Sequence, residues 1–82
     1  MKILLDALRM ERKKEAHAYL REKMNFPAYY GNNLDALHDC LTELDDVRVV
    51  FENKEEAGAY FEKVYKVFLK ASEENAGLQI EN

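Results

Sequence analysis

The chain has 82 residues, 48% of them hydrophobic, which suits one small folded domain and argues against a disordered segment. Twelve Lys and Arg face 16 Asp and Glu, and a net charge of −4 disfavours direct binding to nucleic-acid phosphates. No apolar run approaches the roughly 20 residues of a membrane span, and a single cysteine, Cys40, allows neither an internal disulfide nor a cysteine-based zinc pattern.

The first apolar stretch, residues 3–5, reads as a short buried strand. The basic residues follow it instead of preceding it, so no signal peptide is expected, and the reduced cysteine suits a cytoplasmic protein. Residues 11–24 have the pattern of an amphipathic helix, with Ala16, Tyr19, Leu20 and Met24 on one face. His17 is expected at its surface or boundary. Pro27 ends that helix, because the residue before a proline is pushed out of the helical region. In the loop that follows, Gly31 can supply a positive φ and Asn32 can cap the next helix, with Asp35 well placed in its first turn. That helix is expected to run over residues 34–44.

Residues 47–51 are β-branched and aromatic, the composition of a strand. Over residues 54–75, Ala57, Phe61, Val64, Phe68 and Ala71 recur at spacings of three and four, predicting the longest helix. Gly77 stops it, and residues 78–80 can form a last strand. The predicted order is β-α-α-β-α-β in a single domain over residues 1–82. Strands alternating with helices favour an α/β fold, a parallel sheet packed with helices.

Charge is unevenly distributed along this chain. Residues 1–24 carry a net +3 and residues 47–82 a net −2, whereas residues 25–46 contain five acids and no Lys or Arg. On the 34–44 helix, Leu34, Leu37, Cys40, Leu41 and Leu44 form a core stripe, and Cys40 is expected as a buried apolar filler. Asp35, Asp39 and Glu43, at i, i+4 and i+8, point away from the core together, with Thr42 and His38 on their flanks. Like charges four apart cost a helix a few tenths of a kcal/mol per pair. Such a face suits either solvation or recognition of a cationic partner. Tyr29 and Tyr30, just before the helix, suit either rigid contacts or core packing.

The run from Phe26 to Thr42, Pro-x-Tyr-Tyr-Gly-x-Asn-Leu-Asp-Ala-Leu-x-Asp-Cys-Leu-Thr from Pro27 onward, resembles the signature of the barstar family. The element order and lengths extend the likeness over nearly the whole chain. The resemblance implies a small three-stranded parallel sheet packed with helices, and reversible inhibition of a basic, extracellular-type, guanyl-specific ribonuclease such as barnase. It also implies that Tyr29 packs on the enzyme's catalytic histidine, that Asp39 occupies a substrate-phosphate position, and that Asp35 pairs with basic residues at the guanine side. Gly31, Asn33, Leu34 and Thr42 complete the implied contact, and Tyr30, His38 and Glu43 join the candidate surface as its neighbours. Two positions depart from the best-known member: His38 stands where tryptophan is usual, and Lys70 where that member carries a glutamate.

Enzyme chemistry finds little support. His38 and Cys40, two apart, point to different sides of their helix, and His38 with Asp35 or Asp39 offers too few metal ligands. The expectation is therefore a non-enzymatic protein without cofactor or metal, monomeric when free, that mimics RNA phosphates with carboxylates. The alternative is the same module serving a different basic protein partner.

Overall fold

In a computed structural model, residues 1–81 are described; Asn82, the last residue of the expected domain, lies outside them. The chain forms β1 (Lys2–Asp6), a 3-10 turn (Ala7–Met10), α1 (Lys13–Lys23), α2 (Leu34–Thr42), β2 (Val47–Glu52), a second 3-10 turn (Lys54–Glu56), α3 (Ala59–Glu74) and β3 (Leu78–Glu81). The three strands make one parallel sheet with β2 in the centre. β1 aligns Ile3 with Val49, and β3 aligns Leu78 with Val47 and Ile80 with Val49. The three-stranded parallel α/β fold expected from the sequence is the one observed.

Strand periodicity decides which side of the sheet holds the core. Ile3 and Leu5 of β1 and Val47, Val49 and Phe51 of β2 are buried, while Lys2, Leu4 and Arg48 between them are exposed. The reading of residues 3–5 as uniformly buried is corrected here: alternation turns Leu4 outward. Apart from Leu4 and its neighbour Val50 the outward face is polar, and Glu81 of β3 lies 4.0 Å from Lys2 and 3.2 Å from Arg48.

The core itself is apolar and close-packed. Phe51 meets Phe61, Tyr65 and Phe68 of α3 edge-on, with ring centroids 5.4, 5.3 and 5.0 Å apart, which fixes α3 to the central strand. Fully buried Leu5, Leu20, Leu37, Leu41 and Phe68 each contribute roughly 1.5–3 kcal/mol from loss of apolar contact with water.

Two helix boundaries differ from expectation. The predicted helix over 54–75 is broken into a short 3-10 turn and α3, because Ala57 and Gly58 between them both take an extended conformation. The predicted helix over 34–44 stops at Thr42, where Asn75 from the end of α3 donates to the carbonyls of Leu41 (3.0 Å) and Leu44 (2.8 Å). Gly77 has a role other than stopping α3. A Cβ there would lie 2.6 Å from the Leu44 carbonyl oxygen and 2.9 Å from Asp45 Cα, so only glycine lets the chain pass this close.

Candidate partner-binding surface

The loop joining α1 to α2 is built by its own hydrogen bonds. Asn25 takes a left-handed conformation (φ 57°), Phe26 N–H reaches the Arg21 carbonyl at 3.0 Å, and Asn25 N–H reaches that of Glu22 at 3.3 Å. This double bond pattern closes α1 and turns the chain sharply. At the far end Asn33, not Asn32, caps α2, its side-chain oxygen accepting from Ala36 N–H at 2.7 Å. Asn32 supplies the positive φ (56°) expected of Gly31. Gly31 sits in a tight space: a Cβ there would come 3.2 Å from that of Ala36, which would have to give by a few tenths of an ångström.

The two tyrosines of this loop part company. Tyr29 is 87% exposed, a large aromatic ring projecting into solvent. Tyr30 is 4% exposed, packs on Phe26 and sends its hydroxyl inward to His17 Nδ1 at 2.7 Å. Tyr30 is therefore removed from the candidate contacts; it anchors the loop from below. His17, placed at the helix surface by its sequence position, is fully buried instead. Its other nitrogen, Nε2, lies 2.7 Å from the Tyr60 hydroxyl of α3. With a neutral ring, one nitrogen donates to one tyrosine oxygen and the other accepts from the second tyrosine O–H. Burial, then the Lys13 ammonium, hold the His17 pKa below its ordinary value, which keeps the ring neutral. Burial likewise pushes both the Tyr30 and Tyr60 hydroxyls up.

Asp35 and Asp39 of α2 and Glu43, which caps its C-terminal end in a helical conformation, are all exposed and follow one outward spacing. Among the described residues no lysine or arginine forms an ion pair with any of them, and the imidazole Nδ1 of His38 lies 4.0 Å from Asp39 Oδ1. Asp39 is central. It borders a depression under the loop together with Tyr29, Gly31 and Glu43, and it also borders a groove between α2 and α3. Tyr29 and the three carboxylates thus lie along one continuous surface. Leu34 and Thr42 are half-buried beside it, and Asn33 is exposed at its start.

The places of His38 and Cys40 differ in part from expectation. His38 Nε2–H donates to Glu74 Oε1 of α3 at 2.6 Å, so the ring bridges two helices and is only partly free to meet a partner. Cys40 packs against the core as expected but is only half-buried, because it also lines the depression below Tyr29. Burial first, then Glu43 and Asp39, raise its thiol pKa, which disfavours the reactive thiolate.

Sequence reasoning missed the pairing of His17 with Tyr60 and the place of Lys66 and Val67 beside Lys70 on the α3 wall of the groove. The signal for the wall was present: Lys66, Lys70 and Glu74 repeat the i, i+4, i+8 spacing of the α2 carboxylates. That both stripes meet one groove depends on how the helices dock.

A small parallel α/β domain that presents an acidic loop–helix surface is the class defined by this geometry. The family described as "Barstar (barnase inhibitor)" matches residues 1–81, and the chain belongs to the barstar family. It is also similar to a protein of Bacillus subtilis (strain 168) named "Putative ribonuclease inhibitor YrdF", with 40% identity over 79 residues, covering 89% of this chain and 87% of the relative.

Proposed function

We propose that this chain inhibits a basic, guanyl-specific ribonuclease of the barnase type by laying Tyr29, Asp35, Asp39 and Glu43 across its active-site cleft. The observation that carries this reading is the continuity of one exposed tyrosine with three carboxylates that no lysine or arginine neutralises. A ribonuclease cleft must attract phosphates and is therefore cationic. Carboxylates at fixed spacing on a helix imitate those phosphates, while Tyr29 supplies a rigid apolar contact. Gly31, Asn33, Leu34 and Thr42 line the contact, and His38 borders it. The family description and the name of the Bacillus relative support the same reading. An inhibitor of this kind acts as a monomer in the cytoplasm, without cofactor or chemistry of its own.

The test is inhibition of a barnase-type ribonuclease by the wild type, Asp39→Ala and the charge-matched control Glu55→Ala, whose side chain lies on the second 3-10 turn. Loss of a charge-assisted contact of about 1.5–3 kcal/mol weakens Asp39→Ala by roughly 10- to 100-fold. Glu55→Ala retains full potency. Association of the wild type slows as salt rises, because the opposing fields are screened. Equal potency of the two variants refutes the site. Tight binding without inhibition would assign the surface to another basic protein.

A further inference from the structure

The groove between α2 and α3 has walls of opposite sign. Asp35 and Asp39 stand on the α2 side, and Lys66 and Lys70 on the α3 side, over a floor that includes Leu34 and Val67. All four charged side chains are exposed and none of them pairs with another across the groove, where the one link between the helices among the described ion pairs is His38 to Glu74. Two rows of opposite charge therefore face solvent side by side, unsatisfied by each other. A partner that brought only cations to this groove would gain from Asp35 and Asp39 and lose to Lys66 and Lys70.

We infer that Lys66 and Lys70 are specificity determinants, selecting a ribonuclease that carries a carboxylate on the part of its rim facing α3, beside the cations that meet α2. The inference rests on the proposed inhibitory role and names the partner's chemistry at one edge of that surface. Complementarity of both signs fixes the register of docking, and the lysines repel enzymes whose rim is cationic throughout. The partly apolar floor raises the weight of each charge once water leaves the groove.

The experiment uses a barnase-type ribonuclease that the wild type inhibits. Each charged residue around its cleft, acidic or basic, is reversed in sign in turn, and every enzyme is titrated with wild type and with the Lys66→Glu/Lys70→Glu variant. Both lysines are exposed, so the variant should fold normally, and circular dichroism checks this. The expected result is a crossing of preferences: at least one rim reversal shifts the wild type and the double variant in opposite directions, each by about threefold or more. If the two inhibitors respond alike to every reversal, the inference is overturned, while the inhibitory role stands as long as Asp39→Ala still loses potency. If no barnase-type enzyme is inhibited by the wild type, both readings fall together.

Discussion

Replacing His17 with leucine removes the polar centre of a buried bridge while keeping a side chain of similar size. Two hydrogen bonds of 2.7 Å are lost, to Tyr30 and to Tyr60, each with a net worth of about 1 kcal/mol. The Tyr30 hydroxyl is then stranded in the core, at a further cost of about 1–3 kcal/mol, whereas the half-buried Tyr60 can turn to water. The greater apolarity of leucine offsets part of this, leaving a net loss of about 2–4 kcal/mol. A chain of 82 residues has roughly 4–12 kcal/mol of stability in all, so the change is severe. Urea unfolding reads it directly: with a slope of about 1 kcal/mol per molar, the midpoint falls by about 2 M or more. The pH dependence adds a second readout. In the unfolded chain His17 titrates near its ordinary 6.5, and in the folded protein below it. Between those values the unfolded state holds more protons. The stability contributed by the neutral ring is therefore complete above about pH 6.5 and is lost as pH falls through the folded value. The gap between wild type and His17→Leu should narrow from about pH 7.5 to about pH 5. A midpoint shift under about 0.5 M, or a gap that stays constant on acidification, refutes the bridge.

Two further substitutions probe the junction between α2, α3 and β3. Asn75→Ala loses both bonds to the carbonyls at the end of α2 and the bond accepted from Gly77 N–H, and should cost about 2–3 kcal/mol in denaturant unfolding. Gly77→Ala drives a methyl into the Leu44 carbonyl and should cost about 1–3 kcal/mol, with hydrogen-exchange protection lost first in β3.

The sheet and the acidic face were legible because both follow from short-range periodicity. The β-branched and aromatic composition of residues 47–51 marks β2, and the four-residue spacing of Asp35, Asp39 and Glu43 sets their common direction whatever surrounds them. The partition of Tyr29 from Tyr30 was not legible, since neighbouring residues of a loop have no fixed period. It is decided by a partner 13 residues away, the buried imidazole of His17. His17 itself sits beside Ala16 on a short basic helix, and nothing local reveals that Tyr60, 43 residues later, completes its pairing. The end of α2 was misplaced for the same reason: Asn75 lies 34 residues beyond Leu41. The charged groove escaped notice because its walls come from two helices whose docking only the folded core dictates.

α2 is clasped at both ends, by Asn33 on its first turn and by Asn75 on its last carbonyls. The backbone that carries its carboxylates therefore stands in position before any encounter, and only side-chain rotamers remain to be ordered on binding. A calorimeter would register this as a heat-capacity change proportional to the apolar area covered, with no added contribution from coupled folding. Stopped-flow association would follow a single phase that stays linear in partner concentration, since no slow isomerisation of the inhibitor precedes or follows contact.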